Sequence, residues 1–277
     1  MELSEFIKSA LKEDIGNGDH TSLATINANK MGQAHLLVKD EGIIAGLELS
    51  KHIFNEVDSS LMQTFTGTDG QHVHYGDIVF TVTGSVRSIL TAERLVLNCM
   101  QRMSGIATTT NKYVKAVEEY GTQILDTRKT TPLMRHLEKW SVRIGGGQNH
   151  RFGLFDMILI KDNHVDSAGG IEAALNFAKE YLTANNLFLP IEIETRNLEE
   201  VLLVLETGIA NRIMLDNFPP ILLKEAVKII NKKIVSEASG GITLSNIKEY
   251  AATGVDSISV GALTHSVKSL DLSLKIF

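Results

Sequence analysis

The chain has 277 residues, 43% of them hydrophobic, so it can bury one large core or two ordinary ones. Its net charge of −6 argues against general nucleic-acid binding, and the lone Cys99 excludes an intramolecular disulfide and disfavours structural zinc. No window approaches the roughly 18 apolar residues of a membrane span, and the acidic N-terminal segment is unlike a signal peptide, so we expect a cytoplasmic protein without membrane contact.

Three regions precede the middle of the chain. Apolar residues at helical spacing predict a helix over residues 2–12, which Gly16 and Gly18 end. Residues 30–88 contain short alternating runs, which predict a β-rich region. Residues 88–120 return to helical spacing with one break near Gly105, which predicts one long helix or two in tandem.

After Gly121, short apolar runs alternate with amphipathic stretches. The runs are QILDT, MILIK, IEIET, RIMLD, IVSEAS and SISVGA. This pattern is the βα repeat of a parallel sheet whose strands are buried on both faces. Six units are strong, and residues 153–156 or a terminus are the candidates for a seventh. We expect an incomplete β/α barrel, with a doubly wound open sheet as the alternative.

Charged and glycyl residues follow nearly every predicted strand, where parallel strands deliver side chains to one rim. The candidate site residues on this rim and its loops are Arg128, Lys129, His150, Arg151, Lys161, Glu194, Asp216, Ser239, Gly240, Gly241, Gly261, Ala262 and Leu263. The basic members follow buried strands and lie among Gly and Thr rather than among other surface charges. They therefore predict a pocket for carboxylates or phosphates.

Two features of the rim predict more specific chemistry. Residues 239–241 and 261–263 follow the last two strands, and such loops commonly bind phosphate through free backbone N–H groups. Glu194 and Asp216 end consecutive strands, and paired carboxylates can hold Mg²⁺ together with substrate phosphates. Helix capping is the alternative role for Asp216.

Several further charged or titratable residues lie outside the rim set. Arg102 interrupts an apolar helical stretch and needs a partner, so we expect an interface residue that reaches into another subunit. Glu192 points to the strand face of Glu194 and is a candidate buried partner of one of the basic residues. The histidines without metal-ligand spacing, which we expect on the surface or in satisfied, partly buried positions, are His35, His52, His72, His74 and His265.

Taken together, several strings resemble the quinolinate phosphoribosyltransferase family in order and spacing across essentially the whole chain. They are EDIGNGDHTS, LNCMQRMSGIAT, LDTRKTTP, GGGQNHRFGLFDMILIKDNH, EIE, MLDN, EASGGI and VGALTHS. The sequence departs from the family at Leu133, where Gly is usual, and at Trp140, where Tyr is common. The resemblance implies an α/β fold with an N-terminal α/β sandwich domain (residues 1–106, completed by 267–277) and a seven-stranded incomplete β/α barrel (residues 107–266).

The resemblance also implies transfer of a phosphoribosyl group from 5-phosphoribosyl 1-pyrophosphate to quinolinate with decarboxylation, in NAD biosynthesis. The implied catalytic residues are Lys129, Lys161, Glu194 and Asp216. The implied quinolinate pocket contains Arg128, His150, Arg151 and Lys161. The residues that would bind the donor and its Mg²⁺ are Lys129, Glu194 and Asp216. The two glycine-containing loops would bind the 5′-phosphate of the donor. A homodimer in which Arg102 enters from the partner subunit is implied as well. A related phosphoribosyltransferase with another acceptor, and a non-catalytic sensor of phosphate ligands, remain as alternatives.

Overall fold

The computed structural model describes residues 2–277, which form two compact units. The first unit contains the chain up to residue 111 together with residues 131–146 and 266–277, and the second contains residues 112–130 and 147–265. No helix within the described range is long and apolar enough to cross a membrane.

The helices and strands follow one another in mixed order along the chain. The helices are α1 (Leu3–Ile15), α2 (His20–Thr25), α3 (Leu47–Val57), α4 (Val86–Val117), α5 (Arg135–Ile144), α6 (Asp162–Ala168), α7 (Ile171–Ala184), α8 (Leu198–Thr207), α9 (Pro220–Ile230), α10 (Ile247–Ala251) and α11 (Ala262–His265). The strands are β1 (Met31–Val38), β2 (Gly42–Ile43), β3 (Met62–Phe65), β4 (His72–Val73), β5 (Ile78–Ser85), β6 (Gln123–Leu125), β7 (Ile158–Ile160), β8 (Ile191–Thr195), β9 (Arg212–Asp216), β10 (Val235–Ser239), β11 (Ser257–Ser259) and β12 (Leu272–Ile276).

The first unit is built on an antiparallel sheet with the strand order β12-β1-β5-β3. Along β1 the buried residues alternate with partly exposed ones, as expected for a sheet with one face on a core. That core includes Leu11 of α1, Phe54 of α3 and Phe80 of β5. The C-terminal strand β12 completes the sheet by pairing with β1.

The break predicted near Gly105 is absent, because α4 runs unbroken from Val86 to Val117. A Cβ atom on Gly105 would lie 2.3 Å from the backbone oxygen of Lys268. The glycine therefore permits close packing of α4 against the C-terminal segment rather than ending a helix.

The second unit is built on a parallel sheet with the strand order β6-β11-β10-β9-β8-β7. Six full strands are present among the described residues, and Gln148 adds one isolated parallel bridge to Leu125 beside β6. Residues 153–156 form a series of bends rather than the seventh strand considered for them. The central strands β8 and β9 are buried along most of their length, which agrees with the open β/α barrel expected. All carboxyl ends of these strands lie on one rim.

Leu133 lies in the turn before α5 with φ 64°, in the left-handed region that favours glycine. Glycine would adopt this conformation without strain, whereas leucine adopts it only with a steric cost. The side chain is 72% exposed, so it gains little from packing. We expect Leu133→Gly to raise the free energy of unfolding by up to about 1 kcal/mol, measured by chemical denaturation, because relief of backbone strain outweighs the added freedom of the unfolded chain. A free energy of unfolding clearly lower in Leu133→Gly than in the parent protein would contradict this account.

Candidate active site

A cavity of about 720 Å³ opens at the carboxyl ends of the strands of the second unit. The predicted rim residues that line it are Arg128, Lys129, His150, Arg151, Lys161, Glu194, Asp216, Ser239, Gly240, Gly241, Gly261 and Ala262. Leu263, expected among them, has a fully buried side chain and does not line the cavity. The size and the mixed basic and acidic lining suit a small polyanionic ligand.

Two arginines face one part of this cavity. Arg128 follows β6, and Arg151 lies in the loop before β7, where its Nη1 donates to the carbonyl of Met157 at 3.3 Å. Arg151 is only 9% exposed. Burial lowers the pKa of the Arg151 guanidinium, and the neighbouring charge of Arg128 lowers it further. Two guanidinium groups held this close favour an anion with more than one negative charge.

His150 contributes a third positive charge, which two buried carboxylates stabilise. Its side chain is 6% exposed, with Nε2 2.9 Å from Oε2 of Glu192 and 3.5 Å from Oε2 of Glu237. Burial alone would lower the pKa of His150, but the hydrogen bonds and charges of Glu192 and Glu237 outweigh it and raise the pKa to about 9. Glu192 is thus the buried partner of a basic residue, as the sequence suggested. The two carboxylates therefore favour the protonated imidazole.

The protonation of His150 predicts a pH dependence of stability. The pKa rises from 6.5 to about 9 on folding, so the stabilisation is complete below pH 6.5 and is lost as pH rises through 9. We expect the free energy of unfolding to fall across this interval by up to about 3 kcal/mol, since one pKa unit corresponds to about 1.4 kcal/mol. Urea titrations at a series of pH values measure this decrease in the free energy of unfolding. A constant or rising free energy of unfolding over this interval would show that His150 is not held protonated.

Two carboxylates lie on the rim beside Lys161. The Nζ of Lys161 is 3.0 Å from Oε1 of Glu194, and the backbone N–H of Asp162 donates to Oε2 of Glu194 at 3.4 Å. Burial raises the pKa of Asp216, and the negative charge of Glu194 raises it further. These two carboxylates repel each other, and a divalent cation between them would remove the repulsion. The donor set therefore fits Mg²⁺.

The glycine-containing loops bring backbone close to the cavity. Gly240 has φ 96°, and a Cβ atom there would lie 2.1 Å from Oδ1 of Asn217, so no other residue fits without a shift. Gly261 lies against Lys129, because its Cβ would be 3.0 Å from Cδ of that side chain. Thr264 donates to the Lys129 carbonyl at 2.7 Å. Lys129 and the loop that follows β11 thus form one basic, glycine-walled end of the cavity.

The structure adds residues that sequence reasoning did not assign to the site. Asp126 is fully buried and accepts from the backbone N–H of His150 at 2.9 Å, which fixes the loop that carries His150. Glu237 lies in the middle of β10, where a charged residue in a short buried strand was the available signal. His265 is exposed, as expected for it, and it also lines the cavity.

Arg102 belongs to α4 in the first unit and does not line the cavity. Its Nη2 lies 2.8 Å from Oε1 of Glu138, a fully buried residue of α5. The same Nη2 reaches Oγ1 of Thr131 at 3.4 Å. The partner that the charge of Arg102 requires is therefore present within the same chain, and the pairing leaves the side chain 23% exposed.

Comparison with known proteins gives consistent matches over the whole chain. The families described as quinolinate phosphoribosyl transferase, N-terminal domain, and quinolinate phosphoribosyl transferase, C-terminal domain, match residues 19–104 and 106–275. A mitochondrial quinolinate phosphoribosyltransferase [decarboxylating] 2b of Nicotiana tabacum is 49% identical over 99% of this chain and 82% of its own length. A probable nicotinate-nucleotide pyrophosphorylase [carboxylating] of Bacillus subtilis is 41% identical over 100% of this chain and 94% of its own. The crystal structure of NadC from Streptococcus pyogenes superposes with a TM-score of 0.95, at 36% identity, over 99% of this chain and 96% of that one.

Proposed function

The chain belongs to the quinolinate phosphoribosyltransferase family, and we propose that it transfers the phosphoribosyl group of 5-phosphoribosyl 1-pyrophosphate to quinolinate. Decarboxylation of the acceptor follows, so the products are nicotinate mononucleotide, CO₂ and pyrophosphate, within NAD biosynthesis. The observation that carries this proposal is a single cavity lined both by Arg128, His150 and Arg151 and by glycine-containing loops beside Lys129.

The cationic end suits an acceptor with two adjacent carboxylates. Arg128 and Arg151 supply planar forks for bidentate hydrogen bonds, and His150, whose Nε2 lies against Glu192, adds positive charge to the same lining. Lys161 lies beside them and stays within 3.0 Å of Glu194, so it can bind the acceptor while also orienting that carboxylate. A monocarboxylate would bring one negative charge fewer to this partly desolvated cationic lining, which disfavours nicotinate.

The other end suits the phosphorylated donor. The backbones of residues 239–241 and 261–262 lie at the cavity wall and bind the 5′-phosphate, while Lys129 meets the pyrophosphate. Glu194 and Asp216 are the residues that would hold Mg²⁺. When bound, Mg²⁺ supplies neutralisation of the charge that develops on the departing pyrophosphate.

The chemistry needs no covalent enzyme intermediate. The ring nitrogen of quinolinate attacks the anomeric carbon as its bond to pyrophosphate breaks, and Lys129 stabilises the leaving group. The alkylated ring nitrogen is positive, so it stabilises the carbanion that forms on the adjacent ring carbon when its carboxylate departs as CO₂. Protonation of that ring carbon gives nicotinate mononucleotide. Arg128 and Arg151 hold the ring so that the nitrogen faces the sugar.

We further propose that the enzyme acts as a homodimer in which Arg102 completes the site of the partner subunit. The support is the partly exposed guanidinium of Arg102, which buried Glu138 holds in a fixed orientation. A reducing compartment such as the cytoplasm remains our proposal for its location, supported by the single buried Cys99, and some plant relatives carry organellar names.

The experiment that tests the proposed function compares acceptors. Purified enzyme with the donor and Mg²⁺ is supplied with quinolinate or with nicotinate, and nicotinate mononucleotide is measured. We expect product from quinolinate and little from nicotinate. Product from nicotinate alone would assign a different phosphoribosyltransferase activity, and no product from any pyridine carboxylate, together with binding of phosphate ligands, would favour a sensor.

A further inference from the structure

A second cluster of ligand-type side chains lies in the first unit and shares no residue with the lining of the cavity described above. Glu41, His72 and His74 are exposed, and one ligand atom of each lies within 4.8 Å of the other two. Oε1 of Glu41 is 3.7 Å from Nε2 of His72 and 3.8 Å from Nδ1 of His74. The two imidazole rings have centroids 4.9 Å apart. The cluster, here called the histidine face, therefore brings three potential donor atoms to one point.

The backbone explains why these residues meet. Gly42 pairs with Val73 and Ile43 with His72 in the antiparallel sheet of β2 and β4, so the same register places Glu41 opposite His74. His72 and His74 are two residues apart on an extended segment and therefore point to the same side. This register could not be read from sequence, which is why the histidines were interpreted as lacking ligand spacing.

The backbone beneath the histidine face is firmly held. The N–H of Ile43 donates to Oγ1 of Thr108 at 2.8 Å, and the N–H of Ile44 donates to the carbonyl of Gln71 at 3.0 Å. On the other side, the N–H of His74 donates to Oδ2 of Asp77 at 2.8 Å. Both short strands are fixed by bonds other than those between the ligand side chains, so the backbone positions of the three ligand residues are preorganised.

We propose that the histidine face is a binding site for a divalent transition-metal ion of the Zn²⁺ type. Two imidazole nitrogens and one carboxylate oxygen form a ligand set that occurs in zinc sites. Zinc bonds of 2.0–2.2 Å in a tetrahedron place neighbouring donor atoms about 3.4 Å apart. The observed spacings of 3.7 and 3.8 Å need only small rotations of exposed side chains to reach it. Solvent fills the remaining coordination position.

The ligand chemistry separates this site from the Mg²⁺ site proposed for catalysis. Mg²⁺ prefers oxygen ligands, as Glu194 and Asp216 supply, whereas imidazole nitrogens favour Zn²⁺, Ni²⁺ or Cu²⁺.

His52 of the same unit also lies near a carboxylate but lacks a third ligand within the described range. Its Nε2 lies 3.7 Å from Oε1 of Glu48, but these two residues lie one turn apart on α3 and no third ligand of this kind joins them among residues 2–277.

Metal binding at the histidine face has a physical consequence for the first unit. The ion ties Glu41, which precedes β2, to the two histidines of the β4 segment, and so clamps the ends of the region that contains α3 and β3. A ligand that binds only the folded chain stabilises it by mass action. The metal would therefore raise the thermal stability of this enzyme without taking part in its reaction.

The test is equilibrium dialysis of the tag-free full-length enzyme against Zn²⁺ at neutral pH, with excess Mg²⁺ present to occupy carboxylate sites. Bound zinc is measured per chain for the parent enzyme, for Glu41→Gln and for the double variant His72→Asn with His74→Asn. We expect the parent to bind one more Zn²⁺ than the double variant, and Glu41→Gln to bind this ion about tenfold more weakly or worse. His52→Asn is the matched control and should bind as the parent does.

Thermal unfolding provides the second readout. Saturating Zn²⁺ should raise the midpoint of the parent enzyme and of His52→Asn, but not that of the double variant, whose midpoint without metal should match the parent because the replaced side chains are exposed. Equal zinc content in the parent and the double variant would overturn the proposal. So would a loss of binding in His52→Asn as large as the loss in the double variant.

Discussion

Arg128→Ala is expected to lower kcat/KM for quinolinate by roughly 10- to 150-fold or more, which corresponds to a loss of about 1.5–3 kcal/mol of transition-state stabilisation. The guanidinium lies beside Arg151 on the cavity wall, and the two together match an acceptor with two carboxylates. Removing one leaves a substrate carboxylate without its charged partner in a partly buried place. Steady-state kinetics with each substrate varied in turn measures the effect.

The matched control for this variant is Arg196→Ala. Arg196 belongs to the same unit, but its side chain is 44% exposed, pairs with Asp166 and Glu200, and does not line the cavity. We expect it to keep near-parent turnover. Near-parent turnover in Arg128→Ala as well would remove that residue from the acceptor pocket. A rise in the KM of the donor alone would move it to the phosphate end.

Mixing Arg102→Ala subunits with Arg128→Ala subunits, each impaired alone, is expected to raise activity above that of either variant. If Arg102 serves the partner's site, a heterodimer carries one site with both defects and one with neither. Random reassortment then gives about half heterodimers, each with one intact site, and thus about a quarter of the parent activity. The measurement is turnover after the subunits are mixed and allowed to exchange.

The heterodimer fraction must be determined independently, with two tags of different mass on the two subunits. Glu138→Gln offers a related check, because Glu138 holds Arg102 through a contact of 2.8 Å. Verified heterodimers without recovered turnover would show that Arg102 does not complete a shared site. In that case its pairing with Glu138 would have a structural role within one chain.

The sequence was most informative where a periodic run of apolar residues is followed directly by charged or glycyl residues. Short apolar runs followed by charged or glycyl residues predicted the parallel strands and the rim that carries Arg128, Lys161, Glu194 and Asp216. The reason is that a parallel strand buried on both faces consists almost entirely of apolar residues, and its carboxyl end has a fixed place on the rim.

Features that depend on distant contacts were not readable. Gly105 suggested a helix break, but its role is set by the carbonyl of Lys268, far along the chain. The pairing of Arg102 with Glu138 and of His150 with Glu237 required the packing of separate elements. Leu263 stays a prediction as a backbone member of a phosphate loop, and only the burial of its side chain could not be read from the sequence. Spacing along the chain holds no information on such contacts.

The most direct test of the proposed activity measures the release of CO₂ and of pyrophosphate in the same reaction. Quinolinate labelled in the carboxylate next to the ring nitrogen is incubated with the donor and the purified enzyme, and labelled CO₂, pyrophosphate and nicotinate mononucleotide are quantified over time. We expect equal amounts of all three at every time point, with none formed when the donor is omitted. Pyrophosphate released without matching labelled CO₂, or CO₂ released without donor, would contradict transfer and decarboxylation on one acceptor.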